Sequence, residues 1–218
     1  MSESNITSLP DDFSQMIQEF FAVQCRYQAA IREIRTKLEI LDEEFQMKHK
    51  RNPIHHMQSR MKSIQSMMEK LARHNEPRSI HAAVEKLTDI AGIRVICSYV
   101  QDVYTVAELL TQQDDIHLLR VRDYIKEPKS NGYRSLHLVV EIPVFLSEGR
   151  IMVPVEIQIR TIAMDFWASL EHSLRYKAQG KVPDDISNEL YQTAEDIAVL
   201  DQRMQHIHDK VEKLNQND

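Results

Sequence analysis

The chain has 218 residues, a formal net charge of −6 and only four glycines, enough length to bury a core without disulfide or metal support. The glycine count excludes a Gly-rich phosphate loop of the G-x-x-x-x-G-K-S/T or G-x-G-x-x-G kind, and the acidic balance argues against neutralising a long nucleic acid while leaving room for a local basic cluster. Cys25 and Cys97 share no metal or redox spacing, Met1–Pro10 carries no export signal, and no run approaches the ~20 apolar residues of a membrane span, which together suit a cytoplasmic protein.

In chain order, two seven-residue series open the molecule: Phe13, Phe20, Tyr27, Ile34, Leu41 and Ile17, Gln24, Ile31, Leu38, Phe45. They predict a long amphipathic helix within an N-terminal arm, residues 11–50. Asn52-Pro53 stops it. Ile54–Lys62 reads as a short extended piece, and Ser63 as the N-cap of a helix running to about His74. Strands are expected at Ile93–Val100, Ile116–Ile125, Arg134–Pro143 and Ile151–Arg160, with helices at Asp102–Gln112 and Thr161–Lys177. The second of these helices carries Ile162, Phe166, Ser169/Leu170 and Leu174 on one side. A C-terminal arm, 184–215, repeats the heptad device with Leu190, Ile197, Met204, Val211 and Thr193, Leu200, Ile207, Leu214. The C-terminal arm is the expected partner of the N-terminal one, although packing on the sheet or across a subunit boundary satisfies the same pattern. The fold class is α+β, with a mixed four- to five-stranded sheet in a central core at 53–177.

The centre of this pattern is Val153–Thr161, V-P-V-E-I-Q-I-R-T. Its alternation buries Val153, Val155, Ile157 and Ile159 and sets Glu156, Gln158 and Arg160 in a row on the other face, over roughly 13–14 Å of strand. Three polar groups stand at element edges where side chains converge. Arg60, Lys62 and Ser66 put two cations at a helix start, where the terminal N–H groups also favour an anion. In D-I-A-G-I-R, Asp89 precedes a strand and Arg94 stands just inside it, on a segment apolar enough that both charges need partners. Arg122 to His137 holds the turn K-S-N-G-Y among cations and an aromatic able to stack on a base. Asp89 and Glu156 are the pair able to share Mg²⁺, a hard cation that takes one or two carboxylates plus substrate phosphate oxygens. The inventory is that of phosphoryl-type transfer by positioning and charge neutralisation.

D-I-A-G-I-R, K-S-N-G-Y-R-S-L-H, V-E-I-Q-I-R-T and M-D-F-W-A-S-L-E-H, in this order and spacing, resemble the synthetase domain of the RelA/SpoT-homologue enzymes over roughly Pro53–Lys177. With this length the chain is similar to the small alarmone synthetases. The resemblance implies a nucleotidyltransferase-like fold and transfer of the β,γ-pyrophosphate of ATP to the ribose 3′-hydroxyl of GDP or GTP, yielding ppGpp or pppGpp and AMP. It implies Glu156 as activator of that hydroxyl and Asp89 as the main Mg²⁺ ligand beside it. Arg60, Lys62 and Ser66 would grip the ATP phosphates, and Arg94 and Arg122 would sandwich adenine. Tyr133 would stack on guanine; Lys129, Asn131, His137 and Gln158 would position the acceptor, and Asp165 would read the guanine edge.

Longer members of the family carry an N-terminal metal-dependent hydrolase, for which no room is expected ahead of Pro53. His208-Asp209 reads as a solvated face. A subgroup of homotetramers is activated by product through cations on the first helix; Glu39 and Asp42 stand there instead, so a homotetramer without that activation is expected. Two competing readings are a non-catalytic nucleotide- or RNA-binding module, which binds without turnover, and a nucleotidyltransferase, which releases pyrophosphate in place of AMP.

Overall fold

The computed structural model describes residues 11–178 and 182–215, with side chains described for 18–178 and 182–214. The Met1–Pro10 reading and the heptad positions Phe13 and Ile17 lie outside the described residues and side chains. Helix α1 (Asp11–His49) leads into strand β1 (Ile54–Met61), then α2 (Ile64–Arg73), α3 (Ile80–Lys86), β2 (Ala91–Cys97) and α4 (Val100–Thr111). Strands β3 (His117–Asp123), β4 (Leu136–Leu146) and β5 (Gly149–Thr161) follow, and α5 (Ile162–Lys177) and α6 (Asp184–Asn215) close the chain. The sheet order is β1-β2-β5-β4-β3, with β2 and β5 parallel and the other three pairs antiparallel. This is the expected α+β fold with a mixed sheet, here of five strands.

Ser63 caps α2 as its sequence position suggests, its hydroxyl accepting the Ser66 N–H at 3.2 Å. Helix α3 was not anticipated; its signal was Ser79, which caps the helix by accepting from the Ala82 N–H. The strand expected to reach Val100 ends at Cys97, because Val100 already belongs to α4.

Helix α1 corrects the expected pairing of the two arms. Its described heptad residues Tyr27, Ile31, Ile34 and Leu38 are buried in one cluster with Ile93, Val95, Leu138, Val140, Val155, Ile157 and Ile159 from the sheet and Val103, Val106 and Leu110 from α4. The apolar face of the sheet is what α1 covers, and each fully buried branched side chain there contributes about 1.5–3 kcal/mol. Asp42 closes the corner between α1 and β1, accepting from the Ile54 N–H at 3.0 Å and from the Asn52 side chain at 2.6 Å. Arg51 just beyond it is held by Asp102, a carboxylate only 1% exposed, through two hydrogen bonds of 2.8 and 3.0 Å.

Helices α5 and α6 lie against each other with Trp167, Ala168 and Ala194 buried between them. Their apolar stripes exist but face outward: Ile162, Phe166, Leu170 and Leu174 on α5 and Leu200, Met204, Ile207 and Val211 on α6 are exposed. His208 also departs from expectation. Its ring stacks on Tyr99 at 4.2 Å with 8° between planes, so it is half-buried against α4 and not on a solvated face.

The junction of β5, α5 and α6 is sealed by Thr161, whose hydroxyl accepts the Met164 N–H and donates to the buried Asp201 carboxylate at 2.6 Å. Burial raises the Asp201 pKa above the ordinary aspartate value, against the hydrogen bond from Thr161. A raised folded-state pKa is a stabilising term present below the unfolded value and lost as pH rises through the folded one. Asp201→Asn keeps an acceptor for Thr161 and removes the buried charge. Its melting temperature is therefore expected to exceed that of the parent at pH 7.5, with the gain closing as pH falls toward about 4. Melts across that range check it.

Candidate active site

Cross-strand register builds the site. On the face opposite α1, Gln58, Arg94, Gln158, His137 and Arg122 stand side by side across β1, β2, β5, β4 and β3. The next row in the same order is Arg60, Gly92, Glu156, Val139 and Arg120. Directly opposed residues share a face, so the polar half of each strand's alternation converges on one surface. Gly92 leaves that surface bare between Arg60 and Glu156, and the resulting hollow is lined by Gln58, Arg60, Gly92, Arg94, Glu156 and Gln158. It continues into an open cleft of about 970 Å³ walled by α5 and containing Arg94, Lys129, Tyr133, His137, Gln158 and Arg160.

Glu156 is half-buried and lines the first of these spaces, next to Gln158, which lines both. Gln158 Nε2 donates to its Oε2 at 3.0 Å, and His137 Nδ1 lies 3.6 Å from its Oε1. Burial pushes the carboxyl up, but these polar neighbours outweigh it and the net shift is downward. Burial likewise holds the His137 imidazole below its ordinary value, against the pull of Glu156, so at neutral pH a neutral ring faces an ionised carboxylate.

Asp89 stands at the start of β2, where Lys62 Nζ at 3.0 Å and Lys70 Nζ at 2.7 Å bind its Oδ2. Burial raises its pKa, and the hydrogen bonds from Lys70 and Lys62 more than reverse that. Its other oxygen, Oδ1, is buried without a hydrogen-bond partner. The charge of Asp89 also reaches Glu156, whose proton affinity it raises, which puts the two carboxylates within electrostatic range of one another.

The remaining candidate residues are placed as follows. Arg60, Lys62 and Ser66 share the β1–α2 junction beside Asp89. Arg94 and Arg122 lie in one row but three strand spacings apart, about 14 Å; Arg94 Nη1 contacts Asp165 and Gln58 at 3.4 Å each, and Arg122 Nη1 the Tyr124 hydroxyl at 3.3 Å. The two guanidiniums are thus engaged separately. Lys129 Nζ sits over the rings of both Tyr124 and Tyr133, 4.7 and 4.6 Å from their centroids. Asn131 donates to Glu171 at 3.0 Å, which ties the turn to α5. Asp165 pairs with Arg94 and, at 3.2 Å, with Arg160.

The turn is also held from above by α6. Gly132 has φ +87°, and a Cβ there would stand 2.6 Å from that of Ala194. Arg134 donates to the Ala194 carbonyl at 3.2 Å and to Glu195 at 2.8 Å, and Trp167 Nε1 donates to the Leu190 carbonyl at 2.9 Å. Two site residues were missed by the sequence reading, Lys70 and Glu171, which have no local signal because their roles depend on which elements meet. Arg134 and Arg160 stood among the polar residues singled out on the turn and on β5 but were given no role there.

Residues 59–181 match the model of the region found in RelA/SpoT proteins. The chain is 42% identical over 202 residues to the GTP pyrophosphokinase YwaC of Bacillus subtilis, covering 93% of this chain and 96% of that one. It superposes on small alarmone synthetase 1 from Bacillus subtilis bound to its product pppGpp with a TM-score of 0.82 at 37% identity, over 89% of this chain and 98% of that one. The same synthetase bound to AMPCPP gives a TM-score of 0.76 at 34% identity, over 90% and 99%. With a matching family region, full-length similarity and one shared architecture, this chain belongs to the RelA/SpoT family and resembles its small alarmone synthetases throughout.

Proposed function

We propose that this chain is a (p)ppGpp synthetase that transfers the pyrophosphate of ATP to the 3′-hydroxyl of GDP or GTP. The bond from the acceptor 3′-oxygen to Pβ forms, the bond from the α,β-bridging oxygen to Pβ breaks, and AMP leaves. Glu156 takes the hydroxyl proton. The observation that carries this reading is an ionised carboxylate lining one of two adjoining cation-lined spaces, room for two nucleotides. It is supported by a relative named as a GTP pyrophosphokinase and by a solved relative bound to pppGpp in one structure and AMPCPP in another.

On this reading Arg60, Lys62 and Ser66 hold the ATP phosphates, and Arg94 and Arg122 leave their present partners to face adenine. Tyr133 stacks on guanine, for which Lys129 moves off its ring toward the acceptor phosphates. Asn131, His137 and Gln158 orient the ribose and Asp165 the base edge. Mg²⁺ suits the pair Asp89 and Glu156, because the buried, unpartnered Asp89 Oδ1 is an oxygen in want of a cation. When bound it would neutralise phosphate charge in the transition state. A homotetramer is part of the proposal, supported by the outward apolar stripes of α5 and α6, and so is a cytoplasmic setting, which two free thiols suit. Product activation through α1 is not expected, since Glu39 pairs with Arg35 and Asp42 is committed to the α1–β1 corner.

Chromatography of ATP with GDP or GTP and Mg²⁺ tests the proposal. Equal amounts of AMP and a 3′-pyrophosphorylated guanosine nucleotide, formed only with acceptor present, are expected. Free pyrophosphate in place of AMP, or binding without turnover, overturns it.

A further inference from the structure

Arg160 is 4% exposed and spends its guanidinium entirely inside the site. Nη2 donates to the Tyr133 hydroxyl at 2.6 Å and to Gln158 Oε1 at 2.9 Å, Nη1 to Asp165 at 3.2 Å, and Nε to the Ser135 hydroxyl at 3.3 Å. The guanidinium carbon also lies 5.0 Å from the centre of the Tyr133 ring. Asp165 balances its charge, which is what allows a cation to be buried here.

Two of these bonds begin separate arms that end on the same carboxylate. Along one, Tyr133 Oη meets His137 Nε2 at 2.8 Å, and His137 Nδ1 faces Glu156 Oε1 at 3.6 Å. Along the other, Gln158 Nε2 reaches Glu156 Oε2 at 3.0 Å. Arg160, Tyr133, His137, Glu156 and Gln158 therefore form a closed polar ring.

The directions around the ring follow from its two ends: arginine has donors and no acceptor, and an ionised carboxylate has acceptors and no donor. Facing Arg160, Gln158 has to present its carbonyl oxygen, so its NH₂ points at Glu156. Facing Arg160, the Tyr133 oxygen accepts. Facing the acceptor-only Glu156 carboxylate, Nδ1 of the neutral His137 ring donates, so Nε2 is the acceptor for the Tyr133 hydrogen. That nitrogen then carries the lone pair, and the ring proton is on Nδ1, toward Glu156. Both carboxylate oxygens end up opposite donors.

We infer that Arg160 is a positioning residue that, through Tyr133 and Gln158, sets the His137 tautomer and the orientation of the Glu156 carboxylate. The inference rests on Glu156 being the base of the proposed reaction, but its structural half, the tautomer, stands apart from activity. Arg160 touches no reacting atom in this account. It also ties the base to the residue proposed to stack on the acceptor, since Tyr133 offers its ring to the cleft and its hydroxyl to the relay.

Nitrogen-15 NMR of labelled histidine, with His137→Asn to assign the resonance among the ten histidines, tests the first half. The expected wild-type result is an Nδ1–H tautomer at His137, lost in Arg160→Gln, whose amide can donate or accept and so no longer fixes the direction, and in Tyr133→Phe, where the hydroxyl is gone. Steady-state kinetics tests the second. Arg160→Gln is expected to lower kcat on the order of 10²-fold, the size of a roughly 1 Å misplacement, with the KM for ATP within about threefold. Arg160→Lys, donor-only like the parent, is expected to recover part of the loss. An Nε2–H tautomer in the parent, or a tautomer and kcat indifferent to Arg160→Gln, overturns the inference. If Arg160→Gln does not fold, Tyr133→Phe decides on the tautomer alone. Should the parent prove inactive, the reading of function fails while the tautomer measurement still decides the role of Arg160.

Discussion

Glu156→Gln is expected to lower the rate of AMP formation from ATP and GTP on the order of 10²–10⁴-fold, the usual contribution of a positioned general base. That corresponds to about 3–5 kcal/mol of barrier. The substitution is nearly isosteric, and glutamine still offers an oxygen to Gln158, whose amide now approaches Glu156 at 3.0 Å. The change removes charge and basicity and turns the new amide NH₂ toward His137 Nδ1. The KM for ATP is expected to stay within a few-fold, because the cations proposed to hold the triphosphate, Arg60 and Lys62, lie on β1 and at the entry to α2. Rapid-quench measurement of AMP, beside a thermal melt to establish folding, checks it; an unchanged rate removes Glu156 from the role.

Asp89→Asn is expected to act differently. Asp89 is held by Lys62 and Lys70 through one oxygen while the other is buried and unpartnered. Neutralising it removes the hard anionic ligand proposed for Mg²⁺ and leaves two half-buried ammonium groups without a counter-charge. A loss on the order of 10²-fold or more in rate is expected, the scale of several kcal/mol of metal-assisted charge stabilisation. The Mg²⁺ concentration giving half-maximal rate should rise, which Glu156→Gln and Asp89→Asn can be compared on directly. A lower melting temperature in the absence of metal and nucleotide is expected for Asp89→Asn alone, since only this variant strands buried cations. Isothermal titration with Mg²⁺ and a non-hydrolysable ATP analogue, together with melts, measures both; unaltered Mg²⁺ dependence counts against Asp89 as a ligand.

Much of the site was legible because β-strands impose a period of two on side-chain direction. Glu156, Gln158 and Arg160 were bound to share a face once β5 was recognised, and the run D-I-A-G-I-R placed Arg94 on another strand, which the fold then set beside β5. The turn at Lys129–Tyr133 was legible for a similar local reason, Gly132 supplying the positive φ. Helix α3 was missed because seven residues after the Pro77 turn carry too short an apolar pattern to register. Lys70 was missed because its partner Asp89 is 19 positions away on another element, and the role of Arg134 because it depends on where α6 comes to rest.

The sequence by itself determined the alternation that separates an apolar sheet face from a polar one, the caps and turns that bound most elements, and the chemical types gathered at the site. Only the tertiary structure decided that α1 covers the sheet while the stripes of α5 and α6 face outward, and that Arg160 closes a ring on Glu156. Strand and helix periods are local properties of a few neighbouring residues, whereas the choice of partner for an apolar face or a buried charge is settled by competition among all the surfaces the folded chain brings within reach.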